Sequence, residues 1–286
     1  MYLSYNHFGR KVNRQNSCTR VRNIYVIGMW TYLWQNFLID GKIRSYLADK
    51  ISSVYKNLSC EALIEIGPGK GSITKLIHGI SENFFVIEKD ASLKATLLEM
   101  INDKWEMRNY LEWDVLEVDV EKILKEKNLD SKKTLVVGNL PYYITSPILR
   151  KFFWNWNQKF SGWIFMVQDE VGQKLRSDAK KKSYLRWLLN YAYTVTYLKG
   201  VPAKCFKPVP KVKSCLIQLT MNDEQWIIQW DSLIQFLDMF APFSRKTLGA
   251  IQTMINKKSD CTFIIPPALQ KKRLEELSFE ELAEII

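Results

Sequence analysis

The chain has 286 residues, 47% of them hydrophobic and 25% charged, with a formal net charge of +11. That length carries one α/β domain of about 200 residues plus a small appendage, with a core large enough to need neither disulfide nor metal. Five scattered cysteines without CxxC spacing and only two histidines exclude a disulfide framework or a zinc site, so no metal is expected and a reducing compartment fits best.

A pI near 9.3 suits a polyanionic partner, whose condensed counterions Lys and Arg displace, although charge alone would equally allow a membrane surface. Residues 1–30 hold five Lys/Arg (Arg10, Lys11, Arg14, Arg20, Arg22) and no acid, ahead of an uncharged stretch from Asn23 to Ile39. That stretch contains Gln35 and Asn36, lacks a small-residue cleavage site and runs into Asp40, so it is read neither as a secretory signal nor as a membrane span. A mitochondrial or plastid transit peptide, a basic RNA-contacting arm and an upstream extension before Met29 all explain such a start. Without a transit peptide the expected location is the cytoplasm.

From residue 41 the pattern alternates. Ile43 to Leu58 has helical spacing; Ala62 to Ile66 is a short strand ending in Gly67-Pro68-Gly69-Lys70-Gly71; Ser72 to Ile80 is the next helix. Phe84 to Ile87 is a second strand capped by Glu88, Ala91 to Ile101 a helix, Arg108 to Trp113 a weaker strand, and Leu135 to Val137 and Trp163 to Val167 the fourth and fifth. Strands alternating with helices predict a parallel sheet covered on both faces. Tyr191 to Leu198 and Cys215 to Leu219 predict a closing antiparallel hairpin, and Trp226 to Phe240, Arg245 to Asn256 and Leu269 to Ile286 three amphipathic helices. The expected organisation is a basic extension (1–34), an α/β domain (35–220) and a small all-helical domain (221–286).

Gly67, Gly69 and Gly71 let backbone approach a ligand at the mouth of a parallel sheet, and Glu88, 17 residues after Gly71, is placed to accept from ribose hydroxyls. Three features favour S-adenosylmethionine over a dinucleotide. The loop is GxGxG rather than GxGxxG; Asp114, at the end of the third strand, suits an adenine amino group; and Glu65 suits a cation and repels pyrophosphate. Asn139-Leu140-Pro141-Tyr142 follows the apolar run Leu135 to Gly138, where ligands of such sheets bind. It combines an amide acceptor, a turn with a fixed φ that directs backbone carbonyls, and an aromatic face.

With these motifs in order, the chain resembles the ribosomal RNA adenine N6-dimethyltransferases, a family that also contains the erythromycin-resistance methyltransferases and the mitochondrial transcription factor B proteins. The likeness runs from Gln35–Asp40 through the glycine loop and NLPY to Phe206–Ser214, similar to the family's FxPxPxVxS segment, and ends at Arg245–Leu248 and Lys272–Ser278. It implies a Rossmann-like S-adenosylmethionine-dependent methyltransferase sheet with a small C-terminal helical domain. It also implies transfer of methyl groups to N6 of adenines in small-subunit ribosomal RNA during ribosome biogenesis, dimethylating two adjacent adenines, by a monomer that binds a small-subunit precursor and no membrane. Large-subunit methylation giving macrolide resistance, or a non-catalytic transcription or assembly factor, are the alternatives.

Carried over by position, Asn36, Leu38, Gly67, Gly69, Glu88, Asp114 and Asn139 contact S-adenosylmethionine. Asn139, Leu140, Pro141 and Tyr142 with Phe206 form the catalytic centre, the two aromatics holding the target adenine between them. Lys174, Arg176, Lys204, Lys207, Lys211, Arg245 and Lys246 are expected to track RNA phosphates, in clusters that include Lys180, Lys181, Lys182 and Arg186. The chain departs from the family at Trp34, at Lys174 and at Ser244-Arg245.

Overall fold

The structure, a computed structural model, describes residues 36–101, 109–154, 160–176, 183–222, 229–257 and 263–286. The basic extension, Lys180 to Lys182 and the start of the predicted 226–240 helix lie outside the described residues.

Elements follow in chain order. A two-residue strand β1 (Phe37–Leu38) leads into helix α1 (Gly41–Asn57), whose N-terminus is capped by the Asp40 carboxylate accepting from the Ile43 N–H at 2.9 Å. Then come β2 (Ala62–Ile66), α2 (Thr74–Ile77), β3 (Asn83–Glu88), α3 (Lys94–Ile101), β4 (Tyr110–Glu112), α4 (Val120–Glu126), β5 (Thr134–Asn139) and α5 (Thr145–Trp154). The second half holds β6 (Gly162–Gln168), α6 (Asp169–Leu175), α7 (Tyr184–Ala192), β7 (Tyr193–Val201), β8 (Phe206–Lys207) and β9 (Ser214–Met221), followed by α8 (Trp230–Phe240), α9 (Leu248–Asn256) and α10 (Phe279–Ala283).

Among the described residues seven strands form one sheet in the order β4-β3-β2-β5-β6-β9-β7. The first five are parallel, and β9 closes antiparallel between β6 and β7, so the expected hairpin joins the sheet through its second strand. The strand order reverses at β2, between β3 and β5, which opens a crevice at the carboxyl ends. Because side chains alternate across a strand, each strand feeds two cores. Leu63, Phe84, Val86, Leu135, Val137 and Leu216 pack with α1 residues Leu47 and Ile51, whereas Ile64, Phe85, Val136, Trp163 and Phe165 pack with α5 residues Ile148 and Phe152. A third cluster joins α8, α9 and the C-terminal residues to Trp187, Leu188 and Tyr191 of α7.

Several expected elements differ. The helix expected over Ser72 to Ile80 is one α turn followed by a 3-10 turn at His78–Ile80, because Gly71, at φ +69°, delays its start. Of the expected third strand, Arg108 lies outside the described residues, and among those described Tyr110–Glu112 is extended. The expected helix Leu269 to Ile286 is a 3-10 turn at Leu274–Glu276 and then α10, since Ser278 interrupts the run as an N-cap, its hydroxyl accepting from Glu281 N–H while the Glu281 carboxylate accepts from Ser278 N–H. The expected start of the middle helix at Arg245 moves to Leu248, because Thr247 is extended and bridges to Arg273. Tyr191 and Ala192 end α7 rather than begin a strand. Among the described residues no helix is long and apolar enough to cross a membrane.

Candidate active site

The crevice is built by four neighbouring strand ends. Registers align Ile66 with Ile87 on one side and Gly138 on the other, and Glu88 with Glu112. Alternation then puts Glu65, Glu88 and Asn139 on the sheet face that carries Leu63, Val86 and Val137, toward α1 and β1.

Gly67, Gly69 and Gly71 all have positive φ (+64°, +56° and +69°), a backbone that L side chains resist by roughly 1–2 kcal/mol each. Space adds to this at Gly69, where a β-carbon would sit 2.9 Å from the Phe37 ring. Phe37 thus covers the loop from β1, with the Lys70 ammonium 5.1 Å from its ring centroid. Glu88 is buried and serves the loop as well as the pocket: Oε2 accepts from Gly69 N–H at 3.1 Å and Oε1 from Asp90 N–H at 2.9 Å. Burial pushes its pKa up against the pull of these donors.

Glu65 is 3% exposed, and among the described residues its Oε2 has no hydrogen-bond partner. The Thr74 hydroxyl lies beside this carboxylate without closing a hydrogen bond of ordinary geometry. Burial raises the Glu65 pKa to about 8, Thr74 offsetting and the Glu88 charge reinforcing the shift. A buried acceptor with nothing to accept from costs about 1–3 kcal/mol, which a cation in the pocket would relieve.

Asp114 lies two residues beyond the end of β4 rather than in the strand. Its Oδ2 accepts from Lys89 Nζ at 2.7 Å and its Oδ1 from Leu116 N–H at 2.9 Å, and the Lys89 hydrogen bond holds its pKa down. Half-buried Lys151 of α5 donates to the Val118 carbonyl at 2.6 Å, tying this turn to the helix below.

At the end of β5 the Asn139 amide nitrogen donates to the Asn36 carbonyl at 3.1 Å. That orients the side chain and, among the described residues, leaves Oδ1 as an available acceptor. Leu140 is anchored by its N–H on Met166 O at 3.1 Å, and its own carbonyl receives no hydrogen bond among the described residues. The Pro141 carbonyl is already engaged, by Ile144 N–H and the Thr145 hydroxyl, both at 3.1 Å. The turn therefore directs one carbonyl, that of Leu140, rather than several. Tyr142 is half-buried, and its hydroxyl shares a hydrogen bond with Ser214 Oγ.

Two aromatics differ from expectation. Phe206 is 1% exposed, packed with Leu38, Leu47 and Val201, and presents no open face for a base; β8 pairs it with Leu38, drawing it into the core. Tyr143, which the motifs did not single out, is 55% exposed. Asn36 contributes a backbone carbonyl, and Leu38 is buried.

The basic residues divide. Lys204, Lys207, Lys211, Arg245 and Lys246 are exposed. Lys174 is exposed but paired with Glu170 at 2.5 Å, and Arg176 donates to Gln173 at 3.3 Å. Arg186 is buried at 2% exposure, so it is not available to a phosphate. No motif marks Lys89 or Lys151; the position of Lys89 directly after Glu88 is the available signal. Among the described residues no group of three His, Cys, Asp or Glu side chains is gathered to hold a metal, and Cys60, Cys205 and Cys215 are free thiols.

A sheet of five parallel strands closed by antiparallel β9 and β7, with a glycine loop after its first long strand and an acid ending the next, is a Rossmann-like nucleotide-binding fold, and solved methyltransferases share it. A dimethyladenosine transferase from Plasmodium falciparum matches with a TM-score of 0.63 at 21% identity, covering 86% of this chain and 95% of that one. The 23S rRNA methyltransferase ErmE gives 0.62 at 20%, covering 87% and 98%.

The chain belongs to the ribosomal RNA adenine dimethylase family, whose model matches residues 31–284. It is 35% identical over 233 residues to the ribosomal RNA small subunit methyltransferase A of Mesoplasma florum, covering 80% of this chain and 82% of that protein. It is 30% identical over 275 residues to the protein of the same name from Bacillus licheniformis, covering 92% of each.

Proposed function

We propose that this protein uses S-adenosylmethionine to methylate the exocyclic N6 of adenines in small-subunit ribosomal RNA, adding two methyl groups to each of two adjacent adenines during ribosome assembly. The observation that carries this reading is the pair of open acceptors, Asn139 Oδ1 and the Leu140 carbonyl, at the strand end next to the glycine loop. An adenine amino nitrogen is a weak nucleophile because its lone pair is delocalised into the ring. Two acceptors in hydrogen-bond reach of its two protons draw the nitrogen toward tetrahedral geometry and free the lone pair. The chain's contribution is orientation and electrostatic placement rather than a covalent intermediate.

The cofactor, when bound, supplies a methyl group on a cationic sulfur. The residues fit it: buried Glu65, held mostly protonated below about pH 8 when the pocket is free, would ionise beside a cation, and its Oε2 has no other partner among the described residues. Four adjacent strands at about 4.8 Å spacing span about 14 Å, room for an extended nucleoside from Asp114 through Glu88 to the loop. Tyr142 offers a stacking face to an unpaired or extruded base, worth about 1–3 kcal/mol. Phe206, paired with Leu38, braces β1, whose Phe37 covers the glycine loop.

The substrate class rests on family membership and on relatives named for the small subunit. The test is methyl transfer from labelled S-adenosylmethionine to unmethylated small and large ribosomal particles. Label confined to small-subunit adenines is expected. Label on large-subunit RNA alone would favour the macrolide-resistance reading, and no label on either a contact-only factor.

A further inference from the structure

Resting on that reading, we infer that Ser214 is a positioning residue for methyl transfer, holding the Tyr142 ring in the plane that a target base must meet. Ser214 is fully buried and opens β9, paired with Gln168 of β6 and Val201 of β7, so its backbone and β-carbon are held by the sheet on both sides. That hydroxyl meets the Tyr142 hydroxyl at 2.5 Å across a sequence separation of 72 residues. The other end of Tyr142 is fixed by the turn: Leu140 N–H on Met166 O, and the Pro141 carbonyl held by Ile144 and Thr145. Anchored at backbone and hydroxyl, a tyrosine has lost the torsional freedom it would otherwise lose when a base stacks on it.

The placement also explains why the anchor is a hydroxyl. By strand alternation Ser214 lies on the face of β9 that carries Leu216, and an apolar residue there would leave the Tyr142 hydroxyl, already hard to ionise because of burial, without its partner. Ser214 also ends the loop that carries exposed Lys207, Lys211 and Lys213, so the segment proposed to meet RNA phosphates runs directly into the group that sets the ring.

The experiment compares Ser214→Ala, Tyr142→Phe, the double variant and Ser214→Thr, measuring kcat and KM for RNA together with the Kd for S-adenosylmethionine. Each single hydroxyl deletion is expected to lower kcat/KM for RNA by roughly 3- to 10-fold, the worth of one hydrogen bond, with cofactor Kd unchanged. The double variant should be no worse than the poorer single, and Ser214→Thr, which keeps the hydroxyl, should recover most of the loss. Wild-type kcat/KM in Ser214→Ala, full additivity of the two deletions, or an equal loss of cofactor affinity would each overturn the inference. If Ser214→Ala does not fold, Tyr142→Phe against Ser214→Thr carries the same comparison. An inactive wild-type protein would count against the proposed function instead.

Discussion

At the residue scale the site turns on which polar atoms are committed and which are open. Asn139 commits its amide nitrogen to Asn36, and Pro141 its carbonyl to the turn, so among the described residues the acceptors left are Asn139 Oδ1 and Leu140 O. The motif told that an amide and a carbonyl would be present, but which carbonyl stays open depends on Thr145 and Ile144 folding back, and no spacing rule encodes that. The burial of Phe206 is hidden from the sequence for a similar reason. An aromatic amid lysines and prolines looks available, yet β8 pairing with β1, set by residues about 170 positions away in the chain, buries it.

Glu65 yields a pH prediction. Its folded pKa near 8 lies above its ordinary value of 4.5, so between these values the folded state binds the extra proton. Stability of the free protein should therefore fall as pH rises from about 4.5 toward 8, and Glu65→Gln should flatten that decline in Tm. A cation bound beside Glu65 favours the ionised form, so S-adenosylmethionine should bind more tightly as pH rises toward 8 and release a proton on binding below it. Calorimetry in buffers of different ionisation enthalpy reads that proton directly; no release at pH 6.5 would contradict the assignment.

At the scale of elements, the parallel strands were legible because β-branched and aromatic runs stop at glycine or acid. Helices α4 to α7 were not. Proline at position 147 stands in the first turn of α5, where a missing N–H is harmless, yet it looks like a breaker in sequence. Gly172 inside α6 is there for packing: a β-carbon would come within 2.2 Å of Cys215 Sγ on β9. The glycine loop gives the sharper test. At Gly71 a side chain meets both a left-handed φ and the Met100 sulfur at 2.7 Å. Gly71→Ala is expected to cost about 1–2 kcal/mol of stability in denaturant unfolding, from the left-handed φ, since the flexible Met100 side chain can shift aside, and to weaken cofactor binding. Gly79→Ala, which meets nothing within 4 Å, is the control and should change little.

For the whole molecule, the +11 charge is shared between groups already paired and groups left open. Lys174 answers Glu170 and Lys89 answers Asp114, whereas Lys204, Lys207 and Lys211 stand exposed on one loop. Affinity for RNA should fall steeply with salt, and removing Lys207 and Lys211 together should reduce the log–log slope by about 1.4 if both meet single-stranded phosphates. Lys174→Ala should alter it less. An unchanged slope in the double variant would move the RNA path elsewhere.

The most direct test of the central claim is mass spectrometry of nucleosides from unmethylated small-subunit RNA incubated with S-adenosylmethionine and either wild-type protein or Asn139→Ala. N6,N6-dimethyladenosine is expected with the wild type, and a yield lower by about 100-fold or more with Asn139→Ala, in line with the loss of one preorganised catalytic hydrogen bond. Equal yields from the two proteins, or methylation at a position other than the adenine amino group, would contradict it.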